Sequence, residues 1–250
     1  GWAVQSFGYN RYLPLGRPHV LLENLDRWGA DEILLSCIDR GDQGPDLDLL
    51  RQIAALGLTT PLVYAGGVRN QADAVTVVGA GADRVAVDAA WHDDPQAVID
   101  IHQGVGSQAL LAALPLGLGP QEDLHLYDYR RQSQTSLPAA LVAAIEDDLV
   151  SEVIIMDYKS EGTDTAFDLR LLDQFPVQKT NLIAFGGVKD PDVARTVLNH
   201  PHVVAVGVGN YLNYREHAVQ FFKRALGDFD VRAPRFNAFK VEQLIHAPDL

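Results

Sequence analysis

Short runs of consecutive apolar residues alternate along the chain with longer segments in which apolar positions return every three or four residues. The short runs predict buried strands, and the longer segments predict amphipathic helices. Strands that are apolar throughout, rather than at every second position, are typical of a parallel sheet covered by helices. The strands are predicted at residues 32–37, 62–65, 85–88, 109–116, 152–157, 182–185 and 203–208, and the clearest helices at about 19–28, 46–56, 71–78, 138–147 and 214–226.

The second half of the chain repeats the first with a spacing of 120 residues. The segment Thr60-Pro-Leu-Val-Tyr-Ala-Gly-Gly-Val-Arg-Asn70 is echoed by Thr180-Asn-Leu-Ile-Ala-Phe-Gly-Gly-Val-Lys-Asp190, and residues 46–53 are mirrored by residues 168–175. Two copies of a four-(βα) unit make eight such units, the number that closes a barrel. We therefore predict an α/β fold, a (βα)8 TIM barrel built from two homologous half-barrels.

Only seven barrel strands are found by this count. The strand at 109–116, carried back by 120 positions, would fall before Gly1, and the only methionine of the chain is Met156. We expect the first strand to lie in sequence that precedes Gly1; the alternative is that residues 236–245 fill its place. Residues 1–227 are predicted to form the barrel, followed by a tail at 228–250.

Composition narrows the classes of partner. The chain has 250 residues, 47% of them hydrophobic, and a net charge of −13, which disfavours nucleic acid and anionic membrane surfaces. We find no run of membrane-spanning length and no signal peptide. The single cysteine, Cys37, excludes an internal disulfide and suits a reducing cytoplasm.

Each glycine pair of the repeat ends a predicted strand and opens a helix. Gly66 and Gly67 form the first pair, and Gly186 and Gly187 form the second. Such a turn can seat a phosphate, because glycines allow the backbone to approach an anion and the first N–H groups of the helix are free to donate. The alternative is that both pairs only turn a tight corner.

Five segments occur in the order found in one known family. They read Arg27-Trp-Gly-Ala-Asp-Glu-Ile-Leu-Leu, Tyr64-Ala-Gly-Gly-Val-Arg, Ala80-Gly-Ala-Asp-Arg-Val-Ala-Val, Gly106-Ser-Gln and Phe185-Gly-Gly-Val. On these segments the chain resembles the cyclase subunit of imidazole glycerol phosphate synthase, up to about Leu226. Residues 11–16 resemble the branch of that family found in surface-polysaccharide gene sets. The resemblance implies a duplicated half-barrel, two phosphate sites at the C-terminal face, a glutaminase partner that docks at the N-terminal face and supplies ammonia, and two catalytic aspartates.

The resemblance implies that this chain retains more of the family's residues at the second phosphate-binding site, here called the second phosphate seat, than at the first. Beside the second glycine pair, Gly162 matches the family's glycine loop, with Glu161 at an aspartate position of the family, and Gly209 and Asn210 offer the other wall. In the first seat the family has an asparagine where this chain has Asp88, whose carboxylate would repel a phosphate. We therefore expect a phosphorylated ligand chiefly at the second seat.

The catalytic pattern of the family is incomplete. Its first aspartate would lie on the strand before Gly1, and Pro115 occupies the position of the second. Because proline cannot transfer a proton, the family's acid–base pair cannot operate here as it stands. The remaining candidates are Asp157 and Lys159, which lie at and just after the end of the strand predicted at 152–157. Either they form an acid–base pair, or they only cap a loop. Histidine spacing shows no metal site, and no cofactor is predicted.

When the missing first strand is counted as strand 1, three charged residues stand at the starts of strands 2, 4 and 6, just ahead of apolar runs. They are Glu32, Arg84 and Glu152, and Glu32 and Glu152 are related by the repeat. Alternate strands of a barrel contribute one interior layer, so the three can share a layer near the N-terminal mouth. The resemblance implies that they form the ring through which ammonia enters; the alternative is that each simply faces solvent.

Three functions remain open on the sequence. The first is the synthase-type subunit of a glutamine amidotransferase pair, which uses ammonia on a phosphorylated or nucleotide-linked sugar-type substrate. The second is a non-catalytic barrel that docks a glutaminase and passes ammonia to another protein. The third is a phosphate-binding sugar isomerase of the sister barrel family. Pro115 counts against ordinary cyclase chemistry, and the three charged residues count against the isomerase.

Overall fold

A computed structural model describes residues 1–233 of the chain. The strands are β1 (Ala3–Phe7), β2 (Arg11–Gly16), β3 (Ile33–Ser36), β4 (Leu62–Ala65), β5 (Arg84–Val87), β6 (Leu110–Leu118), β7 (Leu124–Asp128), β8 (Ser133–Thr135), β9 (Glu152–Asp157), β10 (Asn181–Phe185) and β11 (Val203–Gly207). The helices are α1 (Pro18–Trp28), α2 (Leu47–Ala54), α3 (Gln71–Gly79), α4 (Ala90–Asp93), α5 (Pro95–Val105), α6 (Ala139–Glu146), α7 (Arg170–Asp173), α8 (Pro191–Leu198) and α9 (Ala218–Ala225), with short 3₁₀ turns at Ser107–Ala109 and Asn210–Asn213.

The central element is a curved sheet of seven parallel strands in the order β3-β4-β5-β6-β9-β10-β11. A helix or helical turn follows each strand of this set, so the helices cover the outside of the sheet. This architecture confirms the predicted α/β fold of the (βα)8-barrel type. The alternative position proposed for the eighth strand, residues 236–245, lies outside the described residues.

The 120-residue repeat is visible in the elements themselves. Adding 120 to the numbers of β3, β4 and β5 gives the positions of β9, β10 and β11. The same shift relates the antiparallel hairpin β1–β2 to the hairpin β7–β8. Neither hairpin was among the strands predicted from the sequence pattern, so this second repeated unit was missed.

Local signals explain where the repeated helices begin. Asn70 accepts a hydrogen bond from the Asp73 N–H at 2.9 Å, and its counterpart Asp190 accepts one from the Val193 N–H at 2.8 Å. Both are N-cap side chains that satisfy N–H groups in the first turn of the helix. Pro191 then occupies the first position of α8, where its missing N–H costs nothing.

Apolar side chains pack in two layers on either side of the sheet. The larger layer lies between strands and helices and includes Leu50, Val77 and Leu171. The smaller layer is formed by strand residues alone, inside the curve of the sheet: Val63, Ala86, Leu111, Ala113 and Ile154. Within the described part of the chain, no helix is long and apolar enough to cross a membrane.

The last described residues run back to the beginning of the sheet. The guanidinium of Arg232 donates to the hydroxyl groups of Thr59 and Thr60, each at 2.7 Å, and the Arg232 N–H donates to Asp31 at 2.6 Å. Asp31 also pairs with Lys223 of α9 at 2.7 Å. These contacts join α9 to the loop that leads into β3.

Candidate functional site

A cleft of about 90 Å³ opens at the carboxyl ends of β9, β10 and β11. Parallel α/β sheets place their ligands at this edge, because the loops that follow the strands converge there. The walls of the cleft are formed by residues 161–163, by the second glycine pair with Val188 and Lys189, and by residues 209–211, with Phe185, Gly207 and Tyr214 completing the lining. The structure therefore brings together all five residues that were predicted to form the second phosphate seat.

The second glycine pair is required by the close packing of the neighbouring loop. Gly186 and Gly187 have φ angles of 91° and 75°, in the left-handed region. A Cβ atom on Gly187 would lie 2.7 Å from the Phe167 nitrogen. Among the described residues, the N–H groups of Gly187, Val188 and Gly209 make no backbone hydrogen bond. The corner therefore also leaves donors that can bind an anion.

Glu161 forms one wall of the cleft and holds the β1–β2 hairpin against it. Its carboxylate accepts hydrogen bonds from the Gly8 N–H and from the Ser6 hydroxyl, the latter at 3.3 Å. The residue is buried, and burial raises the pKa of Glu161 despite these hydrogen bonds. From the opposite wall, the side-chain amide of Asn210 donates to the Ser6 carbonyl at 2.5 Å. Both walls of the cleft thus contact the same hairpin.

The first glycine pair has the same backbone geometry but no comparable cleft. Gly66 and Gly67 have φ angles of 124° and 70°. A Cβ atom on Gly67 would lie 2.4 Å from the Gly44 carbonyl oxygen, which also accepts a hydrogen bond from Arg40 at 2.7 Å. The loop that carries Gly44 therefore occupies the space beside Gly67, and Gly66 faces a smaller cavity of about 40 Å³ that also contains Asp88.

Two tyrosines cover this smaller cavity at the C-terminal mouth of the sheet. Tyr9 and Tyr129 lie in the turns of the two repeated hairpins, 120 residues apart, and their rings are nearly parallel with centroids separated by 5.6 Å. The Tyr9 hydroxyl approaches the Met156 sulfur at 3.5 Å, and Pro115 lines the cavity below. Sequence reasoning missed this pair, although the repeat spacing was the signal that could have found it.

Asp157 and Lys159, which were predicted either to form an acid–base pair or to cap a loop, each make hydrogen bonds to the backbone. The Asp157 carboxylate is buried and accepts hydrogen bonds from the backbone N–H groups of Lys159 and Ser160, each at 3.1 Å, and of Asp168 at 3.0 Å. The Lys159 ammonium instead donates to the Leu118 carbonyl. Both side chains therefore make hydrogen bonds within the loops, which favours the loop-capping alternative, and the catalytic assignment stays a prediction.

Cys37 is a poor nucleophile in this environment. It is half-buried at the end of β3, and burial raises the pKa of its thiol to about 11, with Tyr64 as its hydrogen-bonding neighbour. The thiol therefore stays protonated at neutral pH. The described residues contain no group of histidine, cysteine, aspartate and glutamate side chains arranged to hold a metal ion.

At the opposite end of the sheet, Arg84 lies between two glutamates. Its guanidinium is 3.2 Å from the Glu32 carboxylate, and it contacts the Glu152 carboxylate directly. All three side chains are largely but not completely buried. Sequence reasoning did not identify Ser151, whose hydroxyl accepts from Arg84 and lies 2.6 Å from Glu152. We refer to Glu32, Arg84 and Glu152 as the charged ring.

Comparisons with known proteins agree with this fold. The family model for histidine biosynthesis proteins matches residues 6–218 of the chain. Over 219 residues the chain is 25% identical to the putative imidazole glycerol phosphate synthase subunit hisF2 of Vibrio vulnificus strain YJ016, a match that covers 86% of this chain and 80% of that protein. Over 235 residues it is 26% identical to the imidazole glycerol phosphate synthase subunit HisF of Bacillus cereus strain G9842, with coverage of 92% and 93%.

These matches confirm the resemblance that the five sequence segments indicated. The family model spans most of the chain, and it includes both glycine pairs, the charged ring and the position of Pro115. The chain belongs to the family of histidine biosynthesis proteins.

Proposed function

We propose that this chain is the synthase-type barrel subunit of a glutamine amidotransferase pair. In this function a glutaminase docks at the N-terminal face, and its ammonia passes through the barrel to a phosphorylated or nucleotide-linked sugar-type ligand at the C-terminal face. The relatives named as synthase subunits support the class of protein. The observation that carries the proposal is the charged ring, because it brings three residues from separate strands together at the mouth of the sheet.

The interior of the sheet suits the passage of a small neutral molecule. Behind the charged ring lie Val63, Leu111 and Ile154, which belong to the apolar layer inside the curve of the sheet. An apolar lining penalises the charged ammonium ion far more than neutral ammonia. Ion pairing within the ring offsets part of the cost of removing its charges from water. Because Arg84 contacts both glutamates, one ion pair can open while Arg84 remains paired with the other glutamate.

The ligand end of the proposal rests on the cleft at the second glycine pair. Gly187, Val188 and Gly209 line the same cleft, and within residues 1–233 their N–H groups make no backbone hydrogen bond, so these groups remain able to donate to a phosphate oxygen. The first glycine pair offers no equivalent space, because the loop carrying Gly44 packs on Gly67. One phosphate-binding cleft at the catalytic face is therefore part of the proposed function.

Pro115 favours a second candidate, in which the barrel only conducts ammonia. It lines the cavity under Tyr9 and Tyr129. The resemblance of this chain to the cyclase subunit implies that the family has a proton-transferring aspartate at this position. Proline has no titratable group, and both Asp157 and Lys159 are occupied by loop hydrogen bonds. A barrel that docks a glutaminase and passes ammonia to another protein would need no catalytic residue at this position. A sugar isomerase is disfavoured, because it would have no use for the charged ring.

Binding and activation of a glutaminase test the proposed function. The probe is the glutaminase subunit of an imidazole glycerol phosphate synthase, with glutamate formation from glutamine measured in the presence and absence of this chain. We expect complex formation at micromolar concentrations and faster glutamate formation. The variants Glu32→Gln and Arg84→Ala should lower this activation, whereas the exposed control Arg51→Ala should not. Absence of a complex at micromolar concentrations would contradict the proposal.

A further inference from the structure

The cavity under Tyr9 and Tyr129 has the size of a very small ligand. Its volume is about 40 Å³, whereas a single water molecule needs about 10–15 Å³ of such space. The cavity therefore holds a group of a few non-hydrogen atoms and is too small for a sugar phosphate. It also adjoins the interior of the sheet, because Ala113 belongs to the apolar layer inside the curve and Met156 packs on that layer, and both line the cavity. A small molecule that crosses the interior of the sheet reaches this cavity.

The cavity contains a carboxylate that has no counter-ion. Asp88 is half-buried and lines the cavity, and within residues 1–233 it forms no salt bridge. Asp128, by contrast, is paired with Arg130 at 3.2 Å. The Asp88 carboxylate accepts hydrogen bonds from the neighbouring Ala89 N–H and from the Tyr129 hydroxyl. An ionised carboxylate offers about four lone-pair sites, so Asp88 keeps the capacity to accept hydrogen bonds from a ligand.

No other charge in the cavity balances Asp88. Among the described residues that line it, none is a lysine, an arginine or a histidine. Burial raises the pKa of the Tyr9 and Tyr129 hydroxyls, and the charge of Asp88 adds to this effect. The Cys37 thiol also stays protonated at neutral pH. Asp88 therefore gives the cavity a single negative charge, and a charge held away from bulk water is stabilised by a cation beside it.

The remaining polar groups match a cation that carries N–H donors. The Tyr9 hydroxyl has only a weak acceptor as its partner, the Met156 sulfur at 3.5 Å, so its oxygen can accept from a ligand. The Tyr129 oxygen lies beside Asp88 and is a second such acceptor. A divalent metal ion would need several more oxygen ligands, and the described residues contain no group of side chains arranged to hold one.

We propose that this cavity binds one ammonium ion, with Asp88 as its counter-ion and the hydroxyl oxygens of Tyr9 and Tyr129 as further hydrogen-bond acceptors. The inference rests on the proposed function only for the source of the nitrogen. Ammonia crosses the apolar interior in its neutral form, and at the mouth it takes one proton from solvent and becomes ammonium. Returning that proton to solvent restores ammonia, and no other bond forms or breaks. The cavity thus holds the nitrogen at the C-terminal face instead of losing it to solvent.

Met156 provides a single reporter for this site. It is the only methionine of the chain and it lines the cavity, so a protein labelled with ¹³C at the methionine methyl group gives one signal from the site. The chain alone is titrated at pH 7 with ammonium chloride, and with sodium chloride at equal ionic strength. We expect a saturable change of the methyl chemical shift with ammonium and none with sodium.

Matched variants assign the binding to the cavity. Asp88→Asn should weaken ammonium binding at least about 10-fold, because it removes the counter-ion. Tyr9→Phe keeps the ring and removes only the oxygen, so it should weaken binding about 3-fold and tests the site even if Asp88→Asn does not fold. Asp147→Asn makes the same change of charge at an exposed position at the end of α6 and should leave the affinity unchanged.

Two other cations test the chemical class of the ligand. Potassium has a similar size but no N–H groups, so it should bind at least about 3-fold more weakly than ammonium. Tetramethylammonium is too large for the cavity and should not shift the signal. Equal affinities for potassium and ammonium, or unchanged ammonium affinity in Asp88→Asn, would show that the assignment to ammonium is wrong.

The outcomes also separate this inference from the function on which it rests. If ammonium produces no saturable shift, the site is overturned, while binding and activation of a glutaminase stay as separate measurements. If ammonium binds but no glutaminase does, the ammonium site stands and the proposed source of its nitrogen is wrong.

Discussion

Asp157 is a buried carboxylate whose two oxygens are both used by its own loop. It accepts hydrogen bonds from the N–H groups of Lys159, Ser160 and Asp168. Asp157→Ala leaves three donors without this acceptor, so we expect the free energy of unfolding to fall by about 2–4 kcal/mol in urea denaturation. Asp164→Ala, at an exposed position of the same loop, should change it by less than about 0.5 kcal/mol. A loss below about 1 kcal/mol for Asp157→Ala would contradict the structural role.

The face of the strand explains why the sequence could not decide between catalysis and loop capping for Asp157. Met156 packs on the apolar layer inside the sheet, whereas Asp157 points to the opposite side and into the loop. In strands that are apolar throughout, there is no alternation from which the face can be predicted. Spacing therefore located the strand end correctly but could not tell an interior carboxylate from a capping one. Pro115, which does line the mouth of the sheet, was placed there by resemblance.

At the scale of elements, Asp128 holds the β7–β8 hairpin to α4. Burial alone would raise the pKa of Asp128, but hydrogen bonds from Arg130 and Arg131 outweigh it and hold the pKa at about 2, below its usual 3.8. Both arginines also contact Asp93 of α4, at 2.5 and 3.2 Å. The hairpin is therefore fixed by a four-residue charge network around one buried carboxylate.

This network predicts a specific acid sensitivity. Because the pKa of Asp128 is lower in the folded than in the unfolded chain, its contribution is complete above about pH 4 and is lost as the pH falls toward 2. The shift corresponds to about 2 kcal/mol. We expect Asp128→Asn to be less stable than the wild type at pH 6 and to lose less stability between pH 4 and pH 2, as measured by urea denaturation at each pH. Parallel pH profiles for the two proteins would contradict this assignment.

The two repeated hairpins show which elements the sequence pattern can miss. The barrel strands were predicted because they are short apolar runs between turn signals. Strand β2 lacks this signal, since most of its side chains are exposed and Pro14 interrupts it. The turn between β1 and β2 depends on positive φ angles at Gly8 and Tyr9, of 59° and 60°. Because tyrosine rarely adopts a positive φ angle, its presence in the sequence does not predict such a turn. The relation between the hairpins became visible only from their common 120-residue shift.

At the scale of the whole molecule, the repeat was the strongest sequence signal. It predicted the barrel-type fold, because two equivalent half-units must bury equivalent faces against each other. It also predicted that Glu32 and Glu152 would occupy equivalent positions, and the structure joins both to Arg84. The repeat could not predict the asymmetry of the two glycine pairs. That asymmetry depends on how the loop at Gly44 packs on Gly67. This is a tertiary contact between two segments, and no repeated or periodic sequence pattern predicts it.

The charged ring leads to a prediction about stability that depends on three strands at once. Arg84→Met leaves Glu32 and Glu152 largely buried without a cation, and we expect it to lower the free energy of unfolding by about 2–4 kcal/mol. The triple variant Glu32→Gln, Arg84→Met, Glu152→Gln removes all three charges together. It should be more stable than Arg84→Met alone, because no unpaired charge remains. Urea denaturation of both variants at neutral pH measures the difference.

The same variants separate a structural role of the ring from a role in ammonia passage. A largely buried ion-pair cluster contributes little net stability compared with neutral side chains of similar size, so stability alone is a weak reason for three charges at this mouth. If the ring serves the glutaminase, the triple variant should keep its fold yet fail to accelerate glutamate formation in the complex. Full acceleration by the triple variant would show that the ring is only structural. A triple variant less stable than Arg84→Met would instead show that its charges interact more favourably with the remaining structure than with each other.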